Sequence, residues 1–515
     1  MARVPAILRP LGGPLATYPE RSETAGRFVA SAPAPPLGHR LRQWLAAGSI
    51  ALAAYSLIAL IIAAAPGMAA VDPGEVVIAA VNSLVLSGIG AAFALTIAGT
   101  LSLAAVAGPA ELRPVANRAI SLAAATPPIV VAFAAWLAIG RPEDVALAVL
   151  AVFGVQGLVL GPCVATHLII ASSQVNVAAD EAARDLGASG WARFRTVVWP
   201  SLAAAGPGIV GSALLWSLSD VVTPVLLAGP LPTLPSLIWR HAVAGDSAIA
   251  AAVAVVLLAL SGLASFVGSG ALPSSAGQRS VLELPAGWSS LVLTVSVAVL
   301  FPLVMAPLVL VTAAGGDLAP LLSVWPPALG GALIGALCAV IATLGIRGIT
   351  RSQSWLGRIL QAAPAPVLAV GTVVAFGAMA GAFELGPLLL ISVIGTVIGL
   401  QSAARHAPSV PPLSLAARDA ARDLGANPAT ASVPIPARSV SVGVLTVAAE
   451  TVGAGAFAFV VIAGLSHPLV IALSTELMSQ RPTAAAAALS ILAVVAVLRG
   501  IAAWTARQSN LGEEL

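Results

Sequence analysis

Two carboxylates interrupt apolar runs, Asp220 in WSLSDVVTPVLLAG and Glu450 in TVAAETVGAGAFAFVVIAG. Each precedes a run that ends in Ala-Gly. A charge near the centre of a hydrocarbon layer costs about 2.5–3.5 kcal/mol on insertion scales, so a matched pair calls for a use. Three uses fit: lining a path that favours a cationic solute, hydrogen-bonding Ser, Thr or backbone groups to fix helix packing, or relaying protons. The remaining reactive side chains form no constellation. His167, His241, His406 and His467 lack the spacing of metal ligands. Cys163 and Cys338 fall inside apolar spans, and no Ser or Cys has the base and acid that would make it a nucleophile. All 24 basic residues are arginine. A GxxxxGK[ST] phosphate loop, which needs a lysine at the terminal phosphates, is therefore excluded. The chain reads as no enzyme and holds no cofactor, so any ATP and magnesium belong to another chain.

The second feature is a polar stretch that occurs twice. Residues 180–200 read DEAARDLGASGWARFRTVVWP and residues 419–436 read DAARDLGANPATASVPIP, sharing AARDLGA at a separation of 238 residues, nearly half of the 515-residue chain. In the first copy, helix formers run up to Gly187, a natural helix stop. Ser189 then caps a second short helix on which Trp191, Phe194 and Val198 recur at i, i+3 and i+7, until Pro200 bends the chain into the next span. The plainest reading lays this loop on lipid headgroups with Arg193 and Arg195 on phosphates. Its recurrence argues for a partner.

The elements that position these groups follow from composition. At 59% hydrophobic and 9% charged, the chain cannot cover a soluble globule of its size with polar side chains, so the bilayer is its solvent. Apolar runs of about 20 residues, the length that crosses about 30 Å of hydrocarbon, predict helical spans at 45–65, 81–107, 119–139, 145–170, 202–228 and 248–269. A second set lies at 291–313, 328–346, 359–380, 385–404, 440–464 and 484–504. Residues 1–43 are a Pro-rich tail with six arginines. Because a cleaved signal peptide has its apolar core nearer the start, 45–65 reads as a retained span. With the N-terminus inside, most arginines fall in cytoplasmic loops and only Arg141, Arg240 and Arg481 face outward, as the positive-inside rule asks. This topology accounts for the net charge of +3 without nucleic acid. Both AARDLGA loops and both termini are then cytoplasmic.

The fold class expected is an all-α polytopic membrane protein, with about twelve transmembrane helices in two parallel six-helix repeats. The first repeat occupies 44–269 and the second 289–505. A Ser/Pro/Gly-rich linker at 270–288 separates them, and a tail at 506–515 follows. Thr126, Pro127 and Pro128 in the third span, and Pro364 and Pro366 in the ninth, are matched helix-disrupting sites, serving as packing kinks or as a gate. Gly88, Gly90, Gly99, Gly330, Gly331 and Gly335 read as close helix contacts.

One pattern in the first loop is specific: EAA, three residues, Gly, nine residues, an aliphatic residue, one residue, a large apolar residue and Pro. Glu181, Ala182, Ala183, Gly187, Val197, Trp199 and Pro200 satisfy it. It resembles the EAA loop of permease subunits of binding-protein-dependent ABC importers, and the fused layout is similar to ferric-iron and thiamine permeases. The resemblance covers the repeat cores at 80–269 and 326–504.

It implies that Glu181, Ala182, Ala183 and Gly187 form a helix docking into a separate ATPase dimer, with Trp191 to Pro200 joining it to the next span. It also implies a bacterial inner-membrane location, with a periplasmic solute-binding protein meeting the outer loops 229–247 and 465–482. Asp419, Ala420, Ala421 and Gly425 would be the second docking site. That copy departs from the pattern: Asp419 replaces Glu, the step from Gly425 to Pro436 is shorter and the aromatics are gone. Unequal coupling by the two loops is the consequence. Asp220 and Glu450 are the path candidates. An ion-coupled secondary transporter with parallel repeats is the alternative, with the same two carboxylates carrying the coupling ion.

Overall fold

The computed structural model describes residues 37–107, 111–172, 177–267, 288–314, 332–339, 362–380, 392–397, 444–449, 452 and 481–511. Among them there is no strand. Helix α1 (Leu37–Ala70) and α2 (Pro73–Ala107) are joined by a tight turn. Next come α3 (Leu112–Ala125), α4 (Pro128–Ile139) and α5 (Val145–Ser172). The polar stretch forms α6 (Val177–Asp185) and α7 (Gly190–Arg193), which continues into α8 (Trp199–Ser219). Short α9 (Val222–Leu227) and α10 (Leu234–Ala244) precede α11 (Ser247–Val267). Beyond the linker lie α12 (Trp288–Ala313), α13 (Ala365–Ala380) and α14 (Arg481–Leu511).

Six of these helices are long and apolar enough to cross a bilayer, and the α3–α4 pair, bent by 91°, is a seventh crossing when taken as one span. The packing of α2 on α5 requires that reading. Phe93 faces Gly157, and Ile97 faces Gly161, so the two helices run the same way and the intervening α3–α4 must return the chain across the membrane. The sequence predicts a third span at 119–139 with a helix-disrupting site at Thr126, Pro127 and Pro128, and the bend falls there. Its sharp bend arises where Pro127 and Pro128 remove two successive N–H donors. The bend is satisfied locally: Thr126 donates its hydroxyl to Leu122 O at 2.8 Å, and Val130 N–H reaches Pro127 O at 3.0 Å.

Lipid tails are as apolar as leucine, so helices in a bilayer associate through close van der Waals fit at small residues. On α5, Gly157 and Gly161 form such a site, since a Cβ at Gly161 would lie 2.7 Å from Ile97 Cγ2. Of the three glycines expected to make contacts on α2, only Gly90 does. Gly88 and Gly99 would accept a Cβ with nothing within 4 Å. Gly335 meets the backbone of Gly395 and Thr396 as expected, whereas Gly330 and Gly331 lie outside the described residues.

The outer stretch 229–247, read as a polar loop, contains helix α10. Thr233 and Ser236 cap it reciprocally, and Gly245 ends it at φ 84°. Ser83 Oγ accepts from Leu234 N–H at 2.9 Å, Asn82 donates to Pro232 O at 2.9 Å, and Arg240 pairs with Glu75 at 2.8 Å. These contacts moor α10 to the first turns of α2, with Leu234, Leu237 and Ile238 buried beneath it.

The two halves of the chain pack reciprocally. Helices α1 and α11 of the first half lie on α13 of the second, while α12 and α14 of the second half lie on α4 of the first. At the α1–α13 contact, Thr372 donates to Ser56 Oγ at 3.3 Å with both side chains fully buried. Tyr55 and Phe376 rings sit 5.4 Å apart. A Cβ added to Gly371 would lie 2.6 Å from Ser56 O. Gly371→Ala should therefore destabilise the purified protein by about 1–3 kcal/mol, the usual cost of overpacking. Gly262→Ala meets nothing within 4 Å and should hold or raise stability through a helix propensity gain of about 1 kcal/mol. Thermal unfolding of both variants in detergent checks the pair.

Candidate functional site

The polar stretch folds as two short helices around a glycine turn. Helix α6 ends at a turn in which Ala188 N–H bonds Ala183 O at 3.0 Å and Gly187 N–H bonds Arg184 O at 2.9 Å. This pair of bonds defines a Schellman ending, whose left-handed residue is Gly187 at φ 75°. A residue with a Cβ would meet strain there of about 1–2 kcal/mol. Ser189 then caps α7, accepting from Ala192 N–H at 3.3 Å, as the sequence predicts.

Beyond α7 the chain departs from expectation. The chain stays helical through Pro200. Phe194 to Val198 form a π turn in which Trp199 N–H reaches back five residues to Phe194 O, and the helix runs on without interruption into α8. The wider turn lies where the Pro200 ring would otherwise press on the preceding turn's carbonyl. It also inserts one residue into the register. The aromatic stripe is therefore Trp191, Phe194 and Trp199, with ring centroids 5.6 and 6.3 Å apart, rather than Trp191, Phe194 and Val198. Val198 turns inward and is buried.

Helix α6 presents Glu181 and Ala182 to solvent, with Ala183 half-buried. Leu186 at 87% and Trp191 at 71% exposure are large apolar groups left uncovered beside it. What holds α6 against α7 is an ion pair absent from the sequence reading. Arg193 Nε and a terminal guanidinium nitrogen grip Asp180 Oδ1 and Oδ2 at 2.9 and 2.6 Å. The two side chains are only 12% and 8% exposed. An exposed pair contributes about 0–1 kcal/mol, but removing one partner of a buried pair costs about 3–5 kcal/mol because the other charge is stranded. Arg193 is thus committed to Asp180 rather than to lipid phosphates, while Arg195 stays exposed.

Asp220 lies where the predicted fifth span breaks. Helix α8 ends at Ser219, Asp220 adopts an extended backbone, and its Oδ1 accepts from Thr223 N–H at 3.2 Å, capping α9. Just before it, Ser217 Oγ donates to Gln156 Oε1 at 2.8 Å and Gln156 Nε2 donates to Ser217 O at 3.4 Å. Gln156 lies ~16 Å along α5 from Val145 at about 1.5 Å per residue, near mid-membrane. Gly90 makes room for it, since a Cβ there would collide with Gln156 Oε1. These contacts all belong to the first half, and the bond from Thr223 N–H is of the kind that packing, one of the three uses open for Asp220, calls for. Sequence reasoning missed Gln156 and Ser217. Their signal was a glutamine within the otherwise apolar run 145–165 of α5. Glu450, Asp419, Ala420, Ala421 and Gly425 lie outside the described residues.

Fold and site together define an all-helical membrane protein with several membrane-crossing helices. No protein-family model, curated protein or solved structure matches the chain.

Asparagine can replace the Asp220 cap acceptor without its charge, whereas alanine removes both. Asp220→Asn should unfold like the wild type, and Asp220→Ala should lose about 1 kcal/mol for the missing cap, as read by thermal unfolding in detergent.

Proposed function

We propose that the chain is the membrane-spanning subunit of an ATP-driven importer of the binding-protein-dependent kind, in the inner membrane of a bacterium, with both termini cytoplasmic. The observation that carries this reading is the loop at 180–200. It is a short exposed helix ended by a left-handed glycine, with large apolar groups uncovered beside it and an unbroken helical path into span α8. Such an element suits a cytoplasmic ATPase that must grip the membrane domain and move a span. Ala420 and Gly425 would mark its counterpart in the second half.

The reciprocal packing of α1 and α11 on α13, and of α12 and α14 on α4, supports two parallel six-helix halves related by an axis along the membrane normal. The solute path runs between them. A separate ATPase dimer binds ATP and magnesium, and its closure draws the two loops together and turns the path outward to receive solute from a periplasmic binding protein. Helix α10, moored at the opposite end from the loop, forms part of that outer face. Asp220 and Glu450 favour a small cationic solute, and the fused layout favours ferric iron or thiamine.

A second reading, an ion-coupled secondary transporter, is favoured by one observation: the α8–α9 break at Asp220 resembles the discontinuous helices at which such transporters bind ions. The two readings separate in one experiment. Copurification of an ATPase with the full chain, and vanadate-sensitive uptake of radiolabelled ferric iron or thiamine, are expected for the importer. Uptake abolished by an uncoupler while ATP is maintained would transfer the function to the alternative. In the same assay Gly187→Val should reduce uptake at least threefold more than Gly425→Val. Because Asp220→Asn keeps the cap acceptor, a loss of cation uptake in that variant reports on the charge.

A further inference from the structure

We propose that Asp180 and Arg193 are positioning residues that lock the first cytoplasmic loop to span α8, a pair that the second loop does not carry at the matching positions. The inference rests on the importer reading for its role in coupling, though not for its geometry. Helix α6 follows on to α7 through the turn at Leu186–Ala188, and a turn transmits little sideways force. The bidentate grip of Arg193 on Asp180 spans that turn and is nearly excluded from water. Two parallel N–H···O bonds fix orientation as well as distance, which one ammonium contact would not. Arg193 is also the last residue of α7, immediately before the π turn that runs into α8. The path from the exposed face of α6 to the membrane is therefore ion pair, then continuous helix. Asp180 in the first turn of α6 has the further support of the helix dipole.

The second loop does not carry this pair at the matching positions. Aligned on AARDLGA, Arg418 stands at the position of Asp180, and no arginine or lysine occurs between Gly425 and Pro436. The first loop is thus built to deliver a stroke and the second to follow, which gives the unequal coupling of the two loops a physical cause.

The test uses the full chain in lipid nanodiscs. Asp180→Asn and Arg193→Gln should each accelerate amide hydrogen exchange across 178–186 at least tenfold, while the turns of α10 keep their wild-type rate. The exchanged pair Asp180→Arg with Arg193→Asp, and the conservative Asp180→Glu, should return the rate to within about threefold of wild type. Unchanged exchange in both single variants overturns the lock. With the copurifying ATPase present, Asp180→Asn should retain ATPase binding and hydrolysis but lower the ratio of ferric iron or thiamine taken up to ATP hydrolysed at least fivefold, and the exchanged pair should recover it. Accelerated exchange with an unaltered ratio overturns the role in coupling. If no ATPase accompanies the wild type, the importer reading falls, and the exchange measurement alone still decides the lock.

Discussion

Backbone polar groups in hydrocarbon have no water to turn to, so every departure from the helix inside a membrane must be satisfied by the protein itself. Each break in the structure carries the mark of this constraint. At 126–128 two prolines remove donors and Thr126 covers a carbonyl of the preceding turn. At 219–222 the Asp220 carboxylate accepts from Thr223 N–H and the Gln156 amide donates to Ser217 O. Before Pro200 the chain avoids a break by widening into a π turn. The three solutions differ in the partners they use: a threonine hydroxyl, a carboxylate with an amide, and the backbone alone.

The same constraint explains why the halves meet as they do. With no hydrophobic gain between helices already in lipid, contact must come from close fit and from hydrogen bonds of about 0.6 kcal/mol each. Gly371 against Ser56 O, with the Thr372 hydroxyl bonded beside it, is one such contact. Gly157 and Gly161 against Phe93 and Ile97 are another.

Much of the first half was legible in the sequence because span length, proline and glycine act locally. The spans, the Gly187 turn and the Ser189 cap were all read from neighbouring residues. What escaped depended on a third dimension. A π turn adds one residue to the register, so the stripe expected to end at Val198 ends at Trp199. The Asp180–Arg193 pair joins residues on two helices across a glycine turn, and no helical periodicity relates them. Gln156 and Ser217 are 61 positions apart. The amphipathic pattern of α10 was hidden by the short Gly/Pro-rich approach at 229–235, which reads as loop. In the second half, the spans 385–404 and 440–464 are described only at 392–397, 444–449 and 452, so their expected extent lies largely outside the described residues.

The choice of an ion pair at the loop, rather than an apolar staple, follows from where the loop sits. Beside a membrane, two short helices joined by leucines would gain as much by sinking those leucines into lipid as by packing them together, because hydrocarbon accepts both equally. Leu186 and Trp191 are already exposed and pull in that direction. A carboxylate and a guanidinium cannot follow, since leaving water unpaired costs each several kcal/mol. The only arrangement that shields both charges is the one that holds α6 on α7. Buried ion pairs are poor sources of net stability, but here the competing state is a partitioned helix rather than an unfolded one. Against that competitor the pair is discriminating, because it holds α6 on α7.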